Sequence, residues 1–193
     1  MSRIFVIMGK SATGKDTLYK ELLKSSNVKV KPIVLYTTRP IRENESEGVE
    51  YHFVSATQYE KFKEDGLVIE SRDYKTVHGI WSYFTMNDAQ FDGDEDVLLI
   101  NTLEGYEQIV AFFGQEKVVP LYVEVEDGIR LSRALSRERE QKEPKYQELC
   151  RRFLADCEDF SEEKIAKAGI QKRFQNLDMG QCLKEMEQEM VSC

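Results

Sequence analysis

Nowhere in the 193 residues do 18 apolar residues follow one another, so the sequence predicts no membrane-spanning helix. The opening MSRIFVIMGK has too short an apolar run for a signal peptide, and a cytoplasmic protein is expected. An excess of positive charge is missing too: 27 Lys and Arg against 35 Asp and Glu leave a net charge of −8. That balance argues against a general nucleic-acid-binding surface, and an anionic ligand must be met by local cations. Cys150, Cys157, Cys182 and Cys193 form no C-x-x-C pair and stand among no histidines, so free thiols are expected. With His52 and His78 the only histidines, the sequence offers no convincing Ser/His/Asp or Cys/His catalytic set.

What is present reads as one α/β domain, long enough to bury about 70% of the surface its unfolded chain exposes. Apolar runs at Ile4–Met8, Val97–Ile100 and Val118–Val125 predict buried parallel strands, and helical periods between them predict a sheet covered by helices. Short β-like pieces (PIVLYTT, YHFVS, GLVIES, GIWSYF) around one helix predict a mixed α/β insert over residues 34–84. That helix is marked by a capping box, Ser55 with Gln58, and by Gly66 at the C-cap. Residues 127–163 read as a charged helical segment divided by Pro144, and Asn176–Met190 as a closing amphipathic helix with Leu183, Met186 and Met190 on one side. Residues 1–33, 85–126 and 164–193 are left as the core.

Strand Ile4–Met8 runs into Gly9, Lys10, Ser11, Ala12, Thr13, Gly14 and Lys15, and then into the helical pattern DTLYKELL. Strand, glycine loop and helix in that order predict a P-loop. Its glycines let successive N–H groups turn toward phosphate oxygens, the helix N-terminus adds its positive dipole end, and Lys15 adds a charge. Asp16 follows Lys15 where Ser or Thr is usual, and Thr17 comes one position later. Farther on, TTRPIRENESEGVEYHFVS carries Arg39 and Arg42 three apart, Gly48 in an acidic loop, and Tyr51. Two arginines and a tyrosine hydroxyl can hold a dianionic phosphate, and solvated surface residues are the alternative reading of the same stretch.

T-T-R-P-x-R followed by G-x-x-Y-x-F-V-S is similar to the monophosphate-binding stretch of guanylate kinases. The likeness extends over essentially the whole chain, through Arg133, Arg137 and Arg152 or Arg151 as residues of that family's helical lid, to Asn176-Leu177-Asp178 as its late adenine-side loop. The resemblance implies a P-loop NTPase fold and transfer of the ATP terminal phosphoryl group to a nucleoside monophosphate, with GMP the leading acceptor and Mg²⁺ as cofactor. It implies catalytic roles for Lys15, Arg39, Arg133, Arg137 and Arg152. ATP would meet Gly9, Ser11, Ala12, Thr13, Gly14, Lys15, Asp16, Thr17 and Asn176; Asp16, which the family pattern does not supply, either binds Mg²⁺ in place of the carboxylate missing near Asn101, or caps the helix or faces solvent while Thr17 takes the metal. The acceptor would meet Arg39, Arg42, Tyr51, Glu70, His78 and Thr102.

Departures from the family pattern concentrate at the base. Only Glu70 clearly survives of its guanine-reading positions, Leu35, Ile80 and Thr102 stand at the others, Glu104 is a candidate substitute, and Asn101 ends a strand that lacks a carboxylate. A non-catalytic guanylate-kinase-like module is one alternative, against which the retained Gly9, Gly14 and Lys15 count. A P-loop kinase acting on another small phosphoacceptor is the other. Nucleotides are the expected partners, with no nucleic acid or membrane, for a monomer or homodimer.

Overall fold

The computed structural model describes residues 2–76 and 79–192. Strand β1 (Ile4–Met8) is apolar throughout and buried on both faces, as expected of a strand in the middle of a parallel sheet. It pairs in parallel with β7 (Asp96–Ile100) and β8 (Val118–Glu124), the latter ending one residue before the sequence pattern. Two strands that periodicity did not announce complete the sheet: β2 (Val30–Pro32) beyond β7 and β9 (Arg173–Gln175) beyond β8. Alternation along β1 sends Ile4, Val6 and Met8 into a core with Leu103, Tyr106 and Ile109 of α3 (Leu103–Phe113). Phe5 and Ile7 face a second core with Leu18 and Leu22 of α1 (Lys15–Lys24) and Cys182, Met186 and Met190 of α7 (Met179–Ser192). Helix α7 starts three residues later than the periodicity suggested, because Asp178 caps it by accepting the Gln181 N–H at 2.8 Å.

The second sheet has the order β4 (His52–Phe53), β3 (Tyr36–Thr37), β6 (Gly79–Met86), β5 (Val68–Thr76). Helix α2 (Ala56–Glu64) covers it, entered through the predicted Ser55–Gln58 capping box and left through Gly66 at φ 70°. Phe84 is the centre of its small core, stacked on Tyr36 with ring centroids 5.4 Å apart and tilted against Tyr59 at 4.7 Å. The charged segment forms α4 (Asp127–Arg139) and α5 (Tyr146–Asp159), separated near Pro144, followed by α6 (Glu162–Lys167). Cys150, Cys157 and Cys182 are free thiols, and Cys193 lies outside the described residues. Among the described residues no helix is long and apolar enough to cross a membrane.

Phe84→Ala would empty the centre of the second sheet's core. It is expected to cost about 3–5 kcal/mol, read as a lower urea midpoint for a spectroscopic signal from that sheet.

Candidate active site

The glycine loop leaves β1 at the middle of the parallel sheet and enters α1 through Gly14, whose φ of 86° favours glycine. The Asn176 side chain sits where a Gly14 Cβ would stand and donates to the Thr13 carbonyl at 2.7 Å. Gly9 at φ 154° passes so close to the Val123 carbonyl that a Cβ there would collide with it. Ala12 is the one described non-glycine residue at positive φ, 64°, an αL strain often found at ligand-binding turns. Thr13, 1% exposed, turns its hydroxyl inward to the Lys10 carbonyl at 2.8 Å. Lys15 begins α1 with its ammonium 3.5 Å from Asp16, and the Asp16 side chain is 74% exposed with Thr17 also open to solvent.

The helical segment already touches this loop. Asp156 of α5 accepts the Ser11 N–H at 2.9 Å, and Lys10 pairs with Asp127 at 3.3 Å. Arg130 belongs to the same charged helix α4 as Arg133 and Arg137. It is 1% exposed, paired with Asp127 and Asp156, and stacked on Phe153 at 4.1 Å. Through these partners it ties α4 to α5. Arg133 donates to the Asn176 carbonyl at 3.0 Å, while Arg137 and Arg152 are exposed. A 290 Å³ cleft lined by Lys10, Thr13, Val125, Asp127 and Gln175 lies next to these groups.

A second cluster forms on the smaller sheet. Arg39 is 4% exposed, its guanidinium 5.2 Å from the Tyr51 ring and 5.3 Å from the Phe53 ring. Both Nη groups donate to Glu45 at 2.6 Å, and the Arg42 N–H donates to the same carboxylate at 2.9 Å while the Arg42 side chain is exposed. Glu45 thus occupies a seat built for a planar or tetrahedral oxyanion. Its carboxyl is held down to about 2, chiefly by the Arg39 hydrogen bonds. Tyr83, which the sequence reading did not single out, stands opposite Thr37 in β3 and Arg72 in β5. Its ring lies 5.5 Å from Tyr51 and 5.5 Å from Tyr74. Its place one residue before Phe84 in the aromatic run WSYF was the signal that could have found it.

Glu70 is 1% exposed and accepts from Thr85 at 2.7 Å and from Asn101 at 3.0 Å. Thr102 caps α3 by accepting the Gly105 N–H at 3.1 Å, and with Arg72, Leu103 and Glu104 it lines a second cleft of 590 Å³. His78 lies outside the described residues, and His52 is a β4 strand residue 2.9 Å from Glu47. Among the described residues no group of three or more His, Cys, Asp or Glu side chains converges as a metal cage.

A glycine loop between the central strand and a lysine-initiated helix places the chain in the P-loop class of nucleotide-binding α/β proteins. The guanylate kinase family model matches residues 1–159, and the chain belongs to that family. It is 34% identical over 115 residues to the guanylate kinase of Thiobacillus denitrificans, a match covering 58% of this chain and 53% of that one. With the guanylate kinase of Sulfurimonas denitrificans it shares 43% over 75 residues, 39% of this chain and 34% of that one. The chain therefore spans about half the length or less of these relatives. The crystal structure of guanylate kinase from Anaplasma phagocytophilum superposes with a TM-score of 0.67 over 99% of this chain and 85% of that one, at 17% identity, which shows the shared fold.

The Glu45 contact has a definite pH signature. Its folded value of about 2 lies below the ordinary 4.5, so the folded state binds fewer protons than the unfolded one in that window. The stabilisation is fully present above the ordinary value and lost as pH falls through the folded one. Acid titrations of wild type and Glu45→Gln are expected to diverge above pH 4.5 and converge toward pH 2; parallel curves would remove the contact from the acid response.

Proposed function

We propose that the chain is an ATP-dependent nucleoside monophosphate kinase, with GMP the acceptor to test first. The observation that carries this reading is the presence of two separate anion seats: the Gly9–Lys15 loop for a polyphosphate and the Arg39 cluster for a single phosphate. A binding module has no use for both seats, and a hydrolase has no use for the second.

An oxygen of the acceptor phosphate attacks the ATP γ-phosphorus, the bond from that phosphorus to the bridging oxygen breaks, and ADP departs with the electron pair. No base is required, because the attacking oxygen is already anionic, and catalysis consists of positioning and charge neutralisation. Lys15 and the α1 N-terminus face the donor phosphates. Arg39, Arg42 and Tyr51 seat the acceptor once its phosphate replaces the Glu45 carboxylate. Arg133, Arg137 and Arg152 are the cations that the two lid helices can bring to the transferring group.

Asp16 and Thr17 present a carboxylate and a hydroxyl side by side on the open first turn of α1, a donor set that suits Mg²⁺, which takes one or two protein oxygens and completes its shell with phosphates and water. When bound, Mg²⁺ neutralises charge on the terminal phosphates.

ADP release measured with ATP-Mg²⁺ against a panel of ribo- and deoxynucleoside monophosphates tests the proposal, and turnover with none of them would overturn it. Lys15→Ala is expected to abolish transfer while leaving stability within about 1 kcal/mol. Arg42→Ala should raise the acceptor KM far more than the ATP KM. Asp16→Asn is expected to weaken ATP binding in the presence of Mg²⁺ and to leave metal-free ATP binding unchanged or tighter by calorimetry. Equal effects with and without the metal would assign Asp16 to capping α1.

A further inference from the structure

The guanine-reading role that the family resemblance lends to Glu70 needs two open carboxylate oxygens, one each for N1–H and N2–H. Here the Glu70 side chain is 0% exposed. Its Oε1 is taken by Thr85 and Asn101. Its Oε2 has no hydrogen-bond partner among the described residues and faces the Arg72 Nε at 3.4 Å. Arg72, by contrast, lines the 590 Å³ cleft together with Thr102 and Leu103. Strand register puts Arg72 opposite Tyr83 and Tyr83 opposite Thr37, two residues before Arg39. The Arg39 seat and Arg72 are therefore about two strand spacings apart, on the order of 10 Å, a span that a nucleoside monophosphate covers from phosphate to base. The aromatic rings of Tyr51, Tyr83 and Tyr74 lie along the way.

We propose that Arg72, and not Glu70, reads the base: the Arg72 guanidinium donates to O6 and N7 of a 6-oxopurine, and Glu70 is the buried anchor that aims it. The inference rests on the nucleoside monophosphate kinase reading and names what that site selects. Nε is the atom turned to Glu70, which leaves the paired N–H groups of the two Nη atoms for the cleft. That fork matches the O6 and N7 acceptors of guanine, the same pairing by which arginine reads guanine in nucleic acids. Adenine offers an amino donor in place of O6 and is repelled. The 2-substituent of the purine is not read, so GMP, IMP and XMP become equivalent at this end of the site.

The test compares GMP, IMP, XMP and AMP by equilibrium binding without ATP and by ADP release with ATP-Mg²⁺, using wild type, Arg72→Lys and Arg72→Ala. Wild type is expected to bind the three 6-oxopurine nucleotides within about threefold of one another and AMP about tenfold or more weaker. Arg72→Lys keeps a cation opposite Glu70 but loses the fork, and the discrimination against AMP should shrink toward unity. Arg72→Ala removes the fork altogether, so discrimination against AMP should vanish, while GMP and IMP stay within about threefold of one another because the Glu70 Oε1 remains taken by Thr85 and Asn101. A purely structural ion pair would weaken all four nucleotides by one factor and leave their ratios fixed, which overturns the proposal. So does a wild type that prefers GMP over IMP by tenfold, or that binds none of the four. If Arg72→Ala does not fold, the AMP ratio of Arg72→Lys decides alone. The expected binding order without ADP release would leave the base assignment standing and sink the kinase reading instead.

Discussion

The Asn176 amide lies under the phosphate loop, donating to the Thr13 carbonyl from a space that only a glycine at position 14 leaves open. Asn176 is itself fixed on both sides, because its N–H donates to the Glu124 carbonyl of β8 at 3.0 Å and its carbonyl accepts from Arg133. Loop, sheet and α4 therefore meet at one residue, 5% exposed. A buried amide of this kind is held by all of its partners at once, and loss of any one leaves a polar group without compensation. The positive φ of Gly14 and the first turn of α1 both depend on it, and through them the direction in which Lys15 points.

The parts of this arrangement that were legible in the sequence are those whose cause is local. Gly9, Gly14 and Lys15 announce the loop because its backbone geometry is set within seven residues, and Ser55 with Gln58 announces α2 for the same reason. Strands β2 and β9 were not legible: three residues each, they exist because β7 and β8 offer free edges to them. Arg130 shows the same limit among charges. It stands in a stretch that reads only as a charged helical segment, and the approach of Asp156, 26 residues on, makes it a buried tie. At the base end the family resemblance singled out Glu70 as a guanine reader, and its burial became visible only in the structure. What the sequence could not supply was the neighbour across which Glu70 acts, since Arg72 is two positions along an edge strand, where residues commonly point to water.

The acidic balance of the chain takes on a structural meaning here. Three positions where positive or N–H groups could meet an oxyanion are filled by carboxylates of the chain itself: Glu45 on Arg39, Asp156 on the Ser11 N–H, and Glu70 beside Arg72. Preformed anion seats without such partners would leave buried guanidinium groups uncompensated, at several kcal/mol apiece. Covering them internally keeps each seat in shape while no ligand is present.

The three covers differ in how easily they can be exchanged for a ligand. Glu45 sits in a loop whose neighbours are mostly exposed, while Arg39 is clasped between Tyr51 and Phe53. A dianionic phosphate brings more charge to the same fork than a carboxylate does, so the loop can give way and the arginine stay. Asp156 is held by Arg130 as well as by Ser11, so freeing the loop N–H requires α5 to shift as a unit with its tie to α4. Glu70 belongs to a strand, is enclosed, and bonds to Thr85 and Asn101 of two other strands or strand ends. No ligand can displace it without opening the contact between the two sheets. In the proposed assignment, exchange at the phosphate end and permanence at the base end follow from that difference, and a permanent carboxylate is suited to orient a reader and unsuited to be one.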